Sequence, residues 1–265
     1  MKPLSLAALR AAARDAIPPA TELLEALEAD PRRGARTIRD QLIRRLVGGH
    51  GAPGDADTML QFEREAAALG FARVAGIDEA GRGPLAGPIV AAAVILAAPV
   101  TGINDSKQLT YEEREAFYEC LVCGKHTIGT AIIDAPEIDR HGIQPANYRV
   151  MALAAARLSP PADYLLIDGF TVPGLAQPQR RLVKGDSRSQ SIAAASVIAK
   201  VTRDRMMMEY DRTYPEYGFA RHKGYGTRDH LDALERYGPC PIHRLSFAPL
   251  SRPIETGHLF EDTGR

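Results

Sequence analysis

Val74-Ala75-Gly76-Ile77-Asp78-Glu79-Ala80-Gly81-Arg82-Gly83-Pro84-Leu85-Ala86-Gly87-Pro88 is the stretch whose reading decides the fold. A short apolar run of Val, Ala and Ile ends on two adjacent carboxylates, and the chain then turns on glycines and prolines. A strand that stops at Asp78 sets its acid at the carboxyl end, where open α/β sheets expose their ligand crevice. Arg82 lies between Gly81 and Gly83, so the backbone can take positive φ there and approach a ligand with no Cβ in the way. Pro84 and Pro88 stiffen the turn. A dinucleotide fingerprint would need a helix next, presenting its N-terminus to a pyrophosphate. Ile89 to Leu96 reads instead as a second buried strand. On this stretch alone, an ordinary turn with two solvated acids stays open.

Working outward, the chain alternates. Strands are expected at Val74–Asp78, Ile89–Leu96, Thr127–Ile133, Tyr164–Asp168 and Arg181–Val183, and helices at about Tyr111–Cys123, Pro145–Leu158, Ser187–Tyr210 and Thr227–Tyr237. Two strands in succession across a Gly/Pro turn, then strands separated by helices, predict an α/β domain on a mixed sheet over residues 71–214. Residues 215–265 have the texture of loop and short helix, the last fifteen reading as a loose tail. Residues 1–70 differ: they are rich in Ala, Arg and Glu, with helical spacing at Leu23, Leu24 and Leu27 and at Ile38, Leu42 and Leu46. They read as a helical appendage, with a linker at Gly48–Asp57 and a short helix from about Thr58 to Leu69. Six arginines between Arg32 and Arg45 against the single acid Asp40 suit phosphate contacts or a solvated helix face.

Composition narrows the classes. Lys plus Arg and Asp plus Glu are both 33 in 265 residues, so any basic footprint must be local. No apolar run reaches a membrane span and the first residues lack a secretory pattern, so a cytoplasmic protein with no membrane partner is expected. Three cysteines, an odd number, do not make a disulfide framework. Cys120, Cys123, Cys240 and His243 have spacing that permits a zinc site, but the first pair falls on an expected helix and thiols without metal are the better reading. Met206-Met207-Met208 reads as packing.

Two more acids repeat the position of Asp78. Asp168 closes Tyr164-Leu165-Leu166-Ile167, ninety residues on, and Asp186 follows Leu182-Val183-Lys184-Gly185. A helix cap is the plain alternative for Asp186. Four carboxylates, Asp78, Glu79, Asp168 and Asp186, converging on one crevice would repel each other unless divalent cations neutralised them, and oxygen-only ligands select Mg2+ or Mn2+. Two such ions about 3.5–4 Å apart are an arrangement that cuts phosphodiesters. The surroundings suit a phosphate-rich ligand: Ser106 and Lys107 in a turn, Lys184 before Asp186, and serines along the helix from Ser187 with its N-terminus expected at the same end of the sheet. Tyr225, in the basic loop Arg221-His222-Lys223-Gly224-Tyr225-Gly226, offers a ring to a sugar or base, or plain packing. His222 and His243 are not needed as general bases if a cation activates the water.

Taken together, Gly76–Gly83, Asn104-Asp105-Ser106-Lys107-Gln108-Leu109, Ile167-Asp168-Gly169, Lys184-Gly185-Asp186, Ala193–Lys200, His222-Lys223-Gly224-Tyr225 and Pro241-Ile242-His243-Arg244 closely resemble ribonuclease HII, the bacterial type 2 ribonuclease H. The resemblance runs in order from about residue 72 to 250. It implies a ribonuclease H-like fold with a small helical C-terminal part. It also implies endonucleolytic hydrolysis of RNA in RNA–DNA hybrids and cutting 5′ of single ribonucleotides in duplex DNA, leaving a 3′-hydroxyl and a 5′-phosphate. By the family's pattern Asp78, Glu79, Asp168 and Asp186 would hold the metals, and the backbone of Gly81-Arg82-Gly83 would read the ribose 2′-hydroxyl with Tyr225 beside it. Ribonuclease HIII differs at the Gly-Arg-Gly position. A monomer is expected, with residues 1–70 as a substrate-binding extension. A related metal-dependent DNA nuclease or recombinase, and a non-catalytic nucleic-acid-binding module, are the competing readings.

Overall fold

The computed structural model describes residues 5–15, 23, 26–27, 29–46 and 58–251; the expected linker at Gly48–Asp57 and the tail from residue 252 lie outside them. In chain order the elements are α1 (Leu6–Asp15), α2 (Arg33–Leu46), α3 (Gln61–Ala68), β1 (Val74–Ala80), β2 (Ile89–Ile95), α4 (Tyr111–Cys123), β3 (Thr127–Ile133), α5 (Ala135–His141), α6 (Ile143–Ala156), β4 (Tyr164–Asp168), β5 (Gln179–Leu182), α7 (Gln190–Thr213), α8 (Phe219–His222) and α9 (Arg228–Tyr237). The strands form one mixed sheet in the order β3-β2-β1-β4-β5. The β1–β2 and β2–β3 pairs are antiparallel, whereas β1–β4 and β4–β5 are parallel.

Alternate residues of a strand face opposite sides, and β2 is apolar on both. Ala91 and Ala93 pack with Ala75 and Ile77 of β1 against Val150, Met151 and Ala154 of α6. Ala92 and Val94 pack against Phe117 and Leu121 of α4 and Ala194, Val197 and Ile198 of α7. Small residues let α7 lie close on the sheet. A Cβ on Gly76 would fall 2.1 Å from the carbonyl carbon of Ser191, so only glycine fits there.

Several boundaries differ from expectation for physical reasons. β1 does not stop at Asp78, because Glu79 and Ala80 stay paired with Ala91 and Val90 of β2 after the pairing with β4 has ended at Ile77. β5 starts at Gln179 rather than Arg181, since Gln179 already pairs with Leu165. Asp134 caps α5, a helix absent from the sequence reading, and Gly142 at φ +83° turns the chain into α6. Gly185–Ser187 forms a separate 3-10 turn, and α7 begins at Gln190 with Ser189 as its cap. In the appendage, Leu9, Ala13, Leu27, Ala35, Ile38 and Leu42 form their own small core, which rests on Cys123 at the C-terminal end of α4. C-terminal to α7, Tyr217, Phe219 and Leu234 pack with Met207 onto Leu85 and Ala86.

Candidate active site

The register of the parallel pair builds the site. Ile77 lies opposite Ile167, so Asp78 and Asp168 stand one step beyond it on neighbouring strands and share a face. Gly185 donates its N–H to Asp168 Oδ1 at 2.6 Å, which pins the turn carrying Asp186 beside them. Glu79 takes the opposite face, where Asn147 Nδ2 of α6 donates to its Oε1 at 3.3 Å. Lys107 Nζ reaches Asp186 Oδ2 at 3.2 Å. Strand order thus gathers four acids separated by up to 108 residues of chain.

Their electrostatics are strained. Burial, then the charges of Glu79 and Asp168, push Asp78 well above the usual carboxylate range. Burial also raises Glu79, with Arg82 opposing and Asp168 reinforcing. Burial raises Asp186 against the pull of Lys107. Glu79 Oε2 is buried with no hydrogen-bond donor, as is Asn147 Oδ1 beside it. Among the described residues no three Asp, Glu, His or Cys side chains stand close enough together to form a finished metal cage. The oxygen-only donor set, the mutual repulsion and the orphaned Glu79 oxygen nevertheless fit a hard divalent cation, which would draw these carboxylates in.

A cleft of about 360 Å³ opens above the acids, lined by Asp78, Glu79 and Asp168. Gly81, Arg82 and Gly83 form one wall, with Ser106, Lys107 and Tyr225 on others. A Cβ on Gly83 would sit 3.7 Å from the Tyr225 ring, so loop and tyrosine face each other closely. The Arg82 guanidinium spans Glu79 (3.7 Å), Gln144 Oε1 (2.9 Å) and the face of Phe170 (5.5 Å). Ser106 Oγ and Ser196 Oγ are 2.7 Å apart. Of the residues expected at the site, Lys184 lies outside it: it is exposed, in the left-handed region at φ +54°, and off the cleft wall. Asp186 stands behind Lys107 instead of on the wall.

The N-terminus of α7 is also not where the sequence suggested. Glu63 of α3 occupies it: Oε1 accepts from Ser189 Oγ (2.6 Å), Ser191 Oγ (2.7 Å) and Ser191 N–H (3.0 Å). That end of α7 lies against Gly76, and only Ser196 of the expected serines reaches the cleft. The same helix brings Lys200 and Arg203 to the cleft, four and seven residues after Ser196, a helical spacing visible in the sequence but unused. Asn147 carried no signal at all.

Buried histidines shape the tyrosine loop. Cys240 N–H donates to His243 Nδ1 (2.9 Å), His243 Nε2 meets His230 Nε2 (2.9 Å), and His230 Nδ1 meets the Tyr225 carbonyl (2.9 Å). That chain closes when both rings are neutral, His243 donating through Nε2 and His230 through Nδ1. Burial pushes both imidazoles down to about 4. Neither His222 nor His243 lines the cleft. Cys240 packs with this C-terminal cluster while Cys123 packs with the appendage, so the four-residue zinc site has no geometry.

A family model described as Ribonuclease HII matches residues 75–250. The chain is 51% identical over 233 residues to Ribonuclease HII of Geobacillus kaustophilus, covering 87% of this chain and 89% of that one. It is 45% identical over 225 residues to Ribonuclease HII of Bacillus subtilis, covering 84% and 88%. Among solved structures, ribonuclease H2 of Pyrococcus horikoshii superposes with a TM-score of 0.56 at 26% identity, over 68% of this chain and 96% of that one. The Archaeoglobus fulgidus PCNA:RNase HII complex gives a TM-score of 0.57 at 22% identity, over 66% of this chain and 94% of the matched one, a likeness of fold.

Proposed function

The chain belongs to the ribonuclease HII family, with a ribonuclease H-like fold and RNA–DNA hybrid endoribonuclease activity, and on that premise we propose how its cleft performs the cut. Asp78, Glu79, Asp168 and Asp186 hold Mg2+ or Mn2+, and the substrates include duplex DNA carrying one ribonucleotide, cut on its 5′ side to leave a 3′-hydroxyl and a 5′-phosphate. Bound there, the cations supply Lewis acidity toward water and toward the leaving oxygen. The protein's residues do the rest. Lys107 and Ser106 face the cleft as cation and hydroxyl for a phosphate, and Lys200 adds positive charge deeper in. The Gly81–Gly83 backbone meets the ribose, and Tyr225 packs beside it.

The observation that carries this reading is that Asp78 and Asp168, one step beyond the last pair of two adjacent parallel strands, open into the same cleft as Gly81, Arg82, Gly83 and Tyr225. The test is cleavage of a DNA duplex carrying a single ribonucleotide, with magnesium, manganese and chelator in parallel. Cutting 5′ of the ribonucleotide with metal and none in chelator is expected. Equal cutting of an all-deoxy duplex would turn the reading toward a DNA nuclease. A monomeric, cytoplasmic enzyme with an appendage that adds phosphate contacts completes the proposal.

A further inference from the structure

Arg244 is fully buried and forms no ion pair with a carboxylate among the described residues. The nearby carboxylate of Asp139 is already engaged by the N–H groups of Leu245 (2.8 Å) and Ser246 (3.0 Å). Every hydrogen bond of the guanidinium goes to a backbone carbonyl of the loop after β1. Nη2 donates to Gly81 O at 2.6 Å and to Gly87 O at 2.8 Å, Nη1 to Arg82 O at 2.9 Å, and Nε to Gly87 O at 3.0 Å. Arg203, also buried, holds the next part of the loop through Pro88 O (2.9 Å) and Ala86 O (3.1 Å). Two guanidiniums buried without carboxylates are an expensive way to stabilise a loop that apolar side chains could pack.

What a guanidinium does here that an apolar group cannot is orient peptide planes. In a trans peptide the C=O of one residue and the N–H of the next point in opposite directions. With the carbonyls of Gly81 and Arg82 drawn down onto Arg244, the N–H groups of Arg82 and Gly83 turn the other way, toward the cleft that these residues line. Neither N–H donates to any group among the described residues. Positive charge on the carbonyl side also polarises the two peptides and sharpens their amides as donors. Gly81 is the residue that lets the loop lie flat on the charge: its φ is +95°, and a Cβ would fall 2.1 Å from Arg203 Nε.

We propose that Arg244 is a positioning residue that, from behind the loop, turns the Arg82 and Gly83 amides into the cleft as a two-donor seat for the 2′-hydroxyl of the ribonucleotide at the cut. This rests on the reading of the Gly81–Gly83 loop given above. Arg244 touches no substrate; it acts through the backbone.

The test compares the full-length protein with Arg244→Lys, which keeps the charge but loses the fork that grips three carbonyls. Binding is measured in chelator, so that no cleavage intervenes, to two duplexes differing only in one 2′-hydroxyl, with a thermal melt run alongside. The wild type is expected to prefer the ribonucleotide-containing duplex, and Arg244→Lys to lower that preference by about fivefold, the value of one lost amide-to-hydroxyl bond. A merely structural role would lower the melting temperature and leave the preference intact, which overturns the proposal. Should the wild type show no preference, the loop reading itself fails first. If Arg244→Lys does not fold, Phe247→Leu carries the test, because the guanidinium lies 5.1 Å over that ring. A smaller fall of about twofold is then expected, and an unchanged preference overturns the proposal.

Discussion

Ser191 donates its hydroxyl to Glu63 at 2.7 Å across 128 residues of chain, and with it the helix before β1 closes the N-terminus of the helix that lines the cleft. One carboxylate oxygen thereby accepts two serine hydroxyls and a backbone N–H. Replacing it leaves buried donors unmet and removes a favourable charge from a helix N-terminus. Glu63→Ala is expected to cost about 2–3 kcal/mol, lowering the melting temperature by roughly 4–12 °C. Initial cleavage rates at 25 °C should stay near wild type, since Glu63 is off the cleft wall. A thermal melt and a rate assay on the same sample check both.

That contact also says where a truncation belongs. Phe62 packs with Leu166 and Ile192 of the catalytic core, so a deletion testing the appendage must end before residue 58. The helices α1 and α2 rest at the C-terminal end of α4, while Arg114 near its start donates to the Ser106 carbonyl at the cleft. Removing residues 1–57 is therefore expected to leave kcat unchanged and to raise the dissociation constant for a hybrid duplex by about threefold, with a shallower salt dependence. Identical binding curves across a salt series would return these arginines to a solvated face.

At Asp78, chemistry and stability pull in opposite directions. Asp168→Asn or Asp78→Asn should abolish cleavage, as each removes a proposed metal ligand. Asp78→Asn should at the same time stabilise the metal-free protein by about 1–2 kcal/mol, because it removes a buried charge facing like charges. Melting curves in chelator for wild type and variant test the second half. Full activity in either variant with metal present would refute the first.

The two imidazoles of His230 and His243, each pushed down to about 4 by burial, give a pH signature. The unfolded chain binds protons at the ordinary value of about 6.5 while the folded chain refuses them, so the unfolded state holds more protons between the two values. Stability is thus full above pH ~6.5, falls as the pH drops toward ~4, and levels off below, with on the order of 2 kcal/mol at stake per ring. Melting temperatures from pH 7.5 to 4 should show that decline, and His243→Gln should flatten it. An equally steep slope in the variant would show that carboxylates alone produce it.

Much of this was legible in the chain. β3 (Thr127–Ile133) and α4 (Tyr111–Cys123) fall where the local pattern of apolar residues placed them, because that signal is local; the Thr110 cap with Glu113 that starts α4 went unread. The acids Asp78 and Asp168 were visible as strand ends. The true end of β1 was not, since it depends on one neighbour continuing to pair after the other has stopped. Ser187 to Ser191 read as an open phosphate seat because nothing nearby in sequence announces that Glu63 fills it. Arg244 sat in a recognised motif without an assignment.

By itself the sequence determined which residue types stand toward the ends of the strands and where the chain must turn on glycine, for these follow from local conformation and side-chain chemistry. Tertiary structure alone decided which acids share a face, which helix end is already taken, and which loop carbonyls a buried arginine holds. Those outcomes depend on strand register and on contacts between residues a hundred or more positions apart, and no local preference encodes them.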